Sequence, residues 1–203
     1  MSDRDLSAFA VVLLAAGCST RMACGSKLIQ LVAERPLLTF SLQTIITLNP
    51  AKVIVVTGHQ RTSIEDLLKG YRVQPVFNAA YENGMGTSIA EGVRAVPLGL
   101  EGVFIHLGDV PFVEAGTYRR LADAMRQDNA ADFQVFVPVF EGARGHPVLF
   151  RSALIPALEK LSGDTGARTV IAANACQDVV VKDRAVLRDV DTQEDLQKIR
   201  AGL

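Results

Sequence analysis

The sequence predicts a single α/β domain, residues 1–203, built on a mostly parallel β-sheet. Two observations lead to this prediction. Short apolar runs alternate with amphipathic stretches along the chain, as in successive strand–helix units. Several of the apolar runs are uninterrupted, as expected for strands that helices cover on both faces. A chain of this length typically forms one domain and buries most of its apolar surface without disulfide or metal staples.

The first half of the chain contains three strand–helix pairs. Residues 9–16 are apolar throughout and predict the first buried strand, and Pro36 is suited to the first turn of the helix that follows. Gly92 is unfavourable in the interior of the third helix. The predicted strands are 9–16, 53–56 and 73–77, and the predicted helices are 36–48, 63–69 and 87–96.

The second half continues the alternation with one exception. Gly142 and Gly145 turn the chain between two apolar runs, so the region 133–150 resembles a hairpin and can add an antiparallel strand. The predicted strands are 102–107, 133–139, 148–150 and 179–181, and the predicted helices are 114–127, 152–161, 165–173 and one that begins near Thr192.

Composition excludes several classes of protein. The formal net charge is −1, so the chain lacks the basic excess of a general nucleic-acid or membrane-surface binder. No run approaches the roughly 20 apolar residues of a membrane span. The three cysteines are odd in number and form no C-x-x-C, which argues against a disulfide framework or a zinc site. We therefore expect a cytoplasmic protein with reduced thiols.

The segment after the first strand has the features of a phosphate-binding loop. Ala15, Ala16 and Gly17 are small and let backbone N–H groups approach an anion closely. Arg21 and Lys27 follow and are suited to neutralising a triphosphate and the charge that develops during phosphoryl chemistry. The alternative is an ordinary glycine turn with two solvated basic residues. The segment matches neither the Walker nor the dinucleotide-binding pattern.

This loop and several later segments resemble those of a known family. The sequence L-A-A-G-C-S-T-R-M, followed by a lysine, is similar to the signature of nucleotidyltransferases related to molybdenum cofactor cytidylyl- and guanylyltransferases, although Ala23 stands where that family usually has glycine. Further segments resemble the family in the same order along the chain: N-A-A-Y-E-N-G-M-G-T-S at 78–88, G-D-V-P at 108–111, G-H-P-V-L-F at 145–150, G-D-T-G-A-R at 163–168 and D-V-D-T at 189–192.

The resemblance implies a fold and an activity. The fold is a Rossmann-like three-layer sandwich of the kind found in nucleotide-diphospho-sugar transferases. The activity is Mg²⁺-dependent transfer of CMP from CTP to the phosphate of molybdenum-bearing molybdopterin, with release of pyrophosphate and with a molybdenum hydroxylase as a possible recipient of the product. Ala15-Ala16 resembles the cytidylyl branch. A guanylyltransferase, a transferase for a sugar or alcohol phosphate, and a non-catalytic cofactor carrier stay open as alternatives.

Two aspartates are candidates for holding the metal. Asp109 ends the fourth predicted strand and Asp191 precedes the last helix. Magnesium prefers one or two carboxylates together with water and phosphate oxygens. Asp109 could instead cap a helix ahead of Val110-Pro111. Thr192 can cap the last helix together with Asp195, which leaves Asp191 available for a metal. The resemblance implies the metal role for both.

The remaining candidates concern the base and the acceptor. Gly86, Thr87 and Ser88 open a helix whose N–H groups and hydroxyls can read a nucleobase or serve as caps.

His146 lies in a loop and can bind the acceptor phosphate or donate a proton, or it can bond to local backbone. Arg168 can meet the acceptor's anion. We expect Asp164 to cap the helix near Thr165, and His106 to be a hydrogen-bonded core histidine.

Overall fold

The computed structural model describes residues 5–17 and 27–202, with a mixed sheet at the centre and helices on both faces. The strands are β1 (Phe9–Ala15), β2 (Leu31–Val32), β3 (Arg35–Pro36), β4 (Lys52–Thr57), β5 (Gln74–Phe77), β6 (Gly102–Leu107), β7 (Val135–Phe140), β8 (Ala143–Arg144), β9 (Val148–Arg151) and β10 (Cys176–Val180). The helices are α1 (Leu37–Thr47), α2 (Arg61–Leu68), α3 (Met85–Arg94), α4 (Ala115–Gln127), α5 (Ile155–Leu158), α6 (Arg168–Ala172) and α7 (Gln193–Gly202).

The main sheet has the strand order β10-β7-β9-β6-β1-β4-β5, with β8 paired to β7. β1 pairs in parallel with β4 and β6, and β4–β5 and β7–β10 are also parallel. β9 runs antiparallel between β6 and β7. The predicted mostly parallel sheet is confirmed, and the hairpin-like region 133–150 does supply an antiparallel strand.

The strand order reverses at β1. The chain passes from β1 to β4 and β5 on one side and then returns to β6 on the other. Where the order reverses, the loops at the carboxyl ends of the strands diverge and leave a crevice for a ligand. Residues 16–17 after β1 and 108–109 after β6 lie at this point.

Two apolar cores separate the three layers. Successive side chains of β1 point to opposite faces, so Leu13 packs in the core beneath α1 and α4, while Val12 packs in the core beneath α3 and α5. Both side chains are fully buried. Burial of each such side chain stabilises the fold by roughly 1.5–3 kcal/mol. The three-layer sandwich is therefore confirmed.

A small hairpin of β2 and β3 was missed by the sequence reading. Its two-residue loop, Ala33-Glu34, has positive φ at both positions, 45° and 63°. Such turns are usually signalled by Asn-Gly or Asp-Gly, and this one carries neither. The hairpin also takes up Pro36, which precedes the first turn of α1 instead of lying inside it.

The hairpin supports the last helix. Val32 and Leu37 form a third apolar cluster with Val190, Leu196 and Ile199. This packing holds α7, and the segment before it that carries Asp191, beside the region that follows Lys27. The last helix thus contributes to the geometry of the crevice.

The helices of the region 152–173 are shorter than predicted. α5 spans four residues after a 3-10 turn at Ser152–Leu154, and α6 spans five. Gly166 has a φ of 56°, which is incompatible with a right-handed helix, so the helix predicted from 165 begins only after it. None of the helices in the described ranges is long and apolar enough to cross a membrane.

Candidate active site

A cavity of about 590 Å³ opens at the carboxyl end of the sheet, where the strand order reverses. Its walls come from residues that follow β1 and β6, from the start of α3, and from the segment before α7. We call this cavity the cleft. Lys27, Asp109 and Asp191 all line it, so the structure brings together three residues that are distant in sequence.

Lys27 lies between the two aspartates. Its Nζ is 2.8 Å from Oδ2 of Asp109 and 2.6 Å from Oδ1 of Asp191, and only 12% of its side chain is exposed. Burial lowers the pKa of Lys27, but the charges and hydrogen bonds of Asp109 and Asp191 outweigh burial, and the net pKa is raised. Lys27 is therefore a cation at neutral pH, and one cation is in contact with both carboxylates.

Backbone contacts hold the two aspartates side by side. The N–H of Val190 donates to the carbonyl of Asp109 at 2.9 Å, which joins the turn after β6 to the segment that carries Asp191. α4 begins at Ala115, with Glu114 at its N-cap, so the alternative reading of Asp109 as a helix cap is wrong.

At the start of α7, Thr192 and Asp195 cap the helix reciprocally. The N–H of Thr192 donates to Asp195 at 2.9 Å, and the N–H of Asp195 donates to the hydroxyl of Thr192 at 3.1 Å. The predicted cap is present, and the side chain of Asp191 lines the cleft.

The donor set suits a magnesium ion that also binds phosphate. Oδ1 of Asp109 is buried and has no hydrogen-bond partner among the described residues. A buried carboxylate oxygen without a partner is costly unless a cation or a water meets it. Across 5–17 and 27–202 no group of three or more His, Cys, Asp or Glu side chains forms a metal cage. Two carboxylates that leave positions for phosphate and water fit Mg²⁺.

The predicted phosphate loop is described in part. Ala16 and Gly17 line the cleft. Ala15 belongs to β1, and its side chain is buried in the core beneath α1, so its contribution at the cleft is limited to backbone. Arg21 lies outside the described residues.

Residues at the N-terminus of α3 form hydrogen bonds with neighbouring segments. The N–H of Gly86 donates to Gly163 at 2.8 Å. The hydroxyl of Thr87 donates to the carbonyl of Gly84 at 2.8 Å and accepts from Asn78 at 2.8 Å. Ser88 lines the cleft and also accepts from Asn78, at 3.0 Å. Gly86 and Thr87 thus fix the loop, whereas Ser88 faces the cleft.

Close packing explains the glycine at position 86. A Cβ there would lie 2.6 Å from the carbonyl oxygen of Ser162, too close for any side chain. The start of α3 is therefore packed against the segment 162–164, whose Asp164 lines the cleft.

Sequence reasoning missed several residues that line the cleft. Tyr81, Glu82 and Met85 line the cleft together with Asp164. The first three fall in the segment after β5, and the rule that ligands meet the ends of strands could have found them. Asp164 was expected to cap a helix, but α6 begins at Arg168 and has no side-chain cap, so that expectation is wrong.

A second cavity, of about 540 Å³, adjoins the cleft. Met85, Leu107 and Asp164 line both cavities. His146 and Arg168, the two residues predicted for the acceptor, line the second one, which we call the acceptor pocket. Most of the other lining residues are aliphatic or aromatic: Ile89, Ile105, Val137, Val148, Phe150, Ala167, Ile171 and Ala172. Arg144 also lines it and is ion-paired with Asp178 at 2.7 Å.

His146 enters the acceptor pocket next to a cis peptide bond with Pro147. Its Nδ1 is buried and has no hydrogen-bond partner within the described ranges. Burial lowers the pKa of His146, although the charge of Asp109 and a hydrogen bond to the backbone of Ile105 act in the opposite direction. The imidazole is therefore neutral at pH 7 and offers a hydrogen-bonding nitrogen.

His106 is a core histidine, as predicted. It is fully buried, and its two ring nitrogens lie 2.9 Å from the carbonyl oxygen of Val110 and 3.0 Å from the hydroxyl of Tyr118. Burial is the main cause that lowers the pKa of His106 to about 3. Both nitrogens have partners, so His106 contributes no open site.

This fold and site define a class of protein. A crevice at the reversal of strand order, with a cation and two carboxylates, is suited to a nucleotide and a divalent metal, and the adjoining apolar pocket is suited to a second substrate. The chain belongs to the MobA-like NTP transferase family, whose domain profile matches residues 11–179. It is therefore a nucleotidyltransferase.

Individual relatives agree with this family. The chain is 30% identical to the purine catabolism protein PucB of Bacillus subtilis over 204 residues, which cover 95% of this chain and 96% of PucB. Its fold is similar to that of Rv0371c from Mycobacterium tuberculosis H37Rv in complex with manganese (TM-score 0.80, 22% identity, 96% of this chain and 99% of the other). It is also similar to the molybdopterin-guanine dinucleotide biosynthesis protein A of Archaeoglobus fulgidus (TM-score 0.69, 14% identity, 95% and 97%).

Proposed function

We propose that this nucleotidyltransferase moves CMP from CTP to the phosphate of molybdenum-bearing molybdopterin and releases pyrophosphate, with Mg²⁺ as its cofactor. The observation that carries the proposal is the contact of Lys27 with both Asp109 and Asp191 in a cleft that shares a wall with an apolar pocket. The cleft supplies charge for a metal and a triphosphate. The pocket supplies apolar surface for a bulky acceptor.

In this proposal an oxygen of the acceptor phosphate attacks the α-phosphorus of CTP, and the bond from that phosphorus to the β-phosphate oxygen breaks. Asp109 and Asp191 would hold the Mg²⁺, which offsets negative charge on the phosphate oxygens when it is bound. Lys27 and Arg21 stabilise the charge of the triphosphate and of the departing pyrophosphate. The protein acts through positioning and electrostatics, because it forms no covalent bond with the substrate.

The remaining residues divide between the two substrates. Ala15, Ala16 and Gly17 offer backbone to the nucleotide phosphates. Ser88, which lines the cleft at the start of α3, contacts the base, while Gly86 and Thr87 hold that loop in place. His146 and Arg168 meet the acceptor and its phosphate.

The choice of CTP and of molybdopterin rests on the resemblance. Ala15-Ala16 is similar to the cytidylyl branch of the family, and the name of the Archaeoglobus relative refers to a molybdopterin dinucleotide with guanine instead. The name of PucB refers to purine catabolism, and we extend this setting to the present chain, with a molybdenum hydroxylase as recipient of the product.

Pyrophosphate release tests the proposal. The protein is incubated with Mg²⁺, each NTP in turn, and either molybdenum-bearing molybdopterin or a panel of sugar and alcohol phosphates. We expect release with CTP and molybdopterin, abolished by excess EDTA, and a kcat/KM for CTP at least about tenfold above that for GTP, or about 1.4 kcal/mol. A preference for GTP would move the chain to the guanylyl branch. Turnover with a sugar phosphate alone would replace the acceptor.

A further inference from the structure

His106 is a buried polar residue that the reaction as described does not use. It lies in β6, three residues before Asp109, at the end of the strand that delivers this aspartate to the cleft. Its side chain is fully buried between the sheet and α4, and its ring stacks on that of Tyr118 with centroids 5.8 Å apart. A buried imidazole is retained at a cost of desolvation, so its contacts indicate what it stabilises.

The hydrogen bonds of His106 define its tautomer. The carbonyl of Val110 can only accept, so Nε2 of His106, 2.9 Å away, carries the hydrogen and donates. Nδ1 then bears a lone pair and accepts from the hydroxyl of Tyr118 at 3.0 Å. Burial raises the pKa of Tyr118 well above its usual value, so its hydroxyl remains protonated and able to donate. Each group thus has one role in a chain that runs from Tyr118 through His106 to Val110.

That chain ends on the turn that carries Asp109. Backbone hydrogen bonds fix the turn on its other sides, from Gly108 to Leu14 at 2.9 Å and from Val190 to Asp109 at 2.9 Å. The side chain of Asp109 is held through Oδ2, which contacts Lys27, whereas Oδ1 has no hydrogen-bond partner among the described residues. The position of this carboxylate therefore depends on the backbone of the turn as well as on Lys27, and His106 holds the residue that follows Asp109.

We propose that His106 is a positioning residue for nucleotidyl transfer: its neutral imidazole fixes the carbonyl of Val110, which holds Asp109 where it meets the metal, and Tyr118 fixes the tautomer that makes this bond possible. This inference rests on the proposed function, since it assumes that Asp109 binds the metal. His106 is fully buried and lines neither the cleft nor the acceptor pocket, so it acts through the turn that carries Asp109. A group that orients a metal ligand typically changes metal affinity or activity by about 10–100-fold when it is removed.

The test uses two variants that remove parts of the chain. His106→Leu removes the hydrogen-bond donor and fills the buried site with an apolar side chain. Tyr118→Phe removes only the hydroxyl. The first readout is the Kd of Mn²⁺ in the presence of CTP, measured by electron paramagnetic resonance. The second is kcat and KM for CTP in pyrophosphate release. We expect His106→Leu to weaken Mn²⁺ binding and lower kcat by about 10-fold or more, with a smaller change in KM, and Tyr118→Phe to act in the same direction more weakly.

Two controls separate positioning from general destabilisation. His106→Gln retains an N–H that can reach Val110, and we expect it to recover most of the Mn²⁺ affinity. Val103→Ala creates a cavity in the same strand but in the opposite core, so it is expected to lower the melting temperature and leave the Mn²⁺ Kd unchanged.

The inference is overturned if His106→Leu and Tyr118→Phe bind Mn²⁺ as the unaltered protein does, or if Val103→Ala weakens binding equally. A failure of the proposed function gives a different result. In that case the unaltered protein with CTP does not bind Mn²⁺ more tightly than its Asp109→Asn variant, and the role of His106 falls with it.

Discussion

The two adjoining cavities differ in how they hold a ligand. The cleft has a lysine in contact with two aspartates, and one carboxylate oxygen is buried without a partner. The acceptor pocket is lined mostly by aliphatic side chains, and its histidine is neutral at pH 7. Removal of a charge should therefore reduce activity strongly in the cleft, where partly buried charges contact one another. It should reduce activity only mildly in the pocket, where shape and apolar contact dominate.

The largest effect is expected at Asp109. Asp109→Asn preserves the shape of the side chain but removes its charge, so we expect kcat to fall by at least about 10²-fold, the scale of losing one strong electrostatic contact. The measurement is the initial rate of pyrophosphate release at saturating CTP and Mg²⁺. Asp189→Asn is the matched control, because Asp189 is exposed and lies two residues from Asp191. Full activity of Asp109→Asn, or activity that persists in excess EDTA, would contradict the metal assignment.

A smaller but still large effect is expected at Lys27. Lys27→Ala removes a charge-assisted contact to the triphosphate, so we expect kcat/KM for CTP to fall about 30-fold, equivalent to about 2 kcal/mol. The ammonium group also competes with a metal for the two carboxylates, so the variant should bind Mn²⁺ more tightly than the unaltered protein when no nucleotide is present.

The control for Lys27 lies at the opposite edge of the sheet. Lys52→Ala removes a half-buried lysine at the amino end of β4, far from the cleft, and should leave both quantities unchanged. Arg21→Ala is expected to lower kcat/KM in the same direction as Lys27→Ala. Melting curves complete the comparison: if Lys27→Ala unfolds while its folded fraction turns over normally, Lys27 is structural.

The contrast between the cavities also explains what the sequence could predict. Strands of β-branched and aliphatic residues alternate with amphipathic helices, a pattern that is local and readable. Asp109 ends a predicted strand and Asp191 precedes the last helix, and the resemblance to the family implied that the two lie together. The hairpin of β2 and β3 could not be predicted, because its turn residues, Ala33 and Glu34, adopt positive φ without the usual turn composition.

The wall shared by the two cavities was beyond sequence reasoning for a different reason. It forms where the start of α3 meets the segment 162–164, through the hydrogen bond from Gly86 to Gly163. The two partners are far apart in the chain, and both are glycines, so no side chain indicates the contact. Asp164 consequently looked like a helix cap, whereas the structure places it at both cavities.

The smallest effect is expected at Arg168, and it tests the apolar half of the comparison. Arg168 is the first residue of α6, is exposed, and lines the acceptor pocket. An exposed guanidinium is screened by water and salt, so its contact with a phosphate contributes less than a charge in the cleft does. We expect Arg168→Ala to raise KM for the acceptor by about tenfold or less, with kcat and KM for CTP unchanged, and we expect the effect to shrink as ionic strength rises.

Arg168→Lys should recover part of the loss because it keeps the charge. Arg72→Ala, which changes an exposed arginine beside the amino end of β5, should have no effect. A rise in KM for CTP equal to that for the acceptor would show that Arg168 serves the nucleotide. In that case α6, which carries Arg168, would belong to the nucleotide site, and the division into a charged cleft and an apolar acceptor pocket would not hold there.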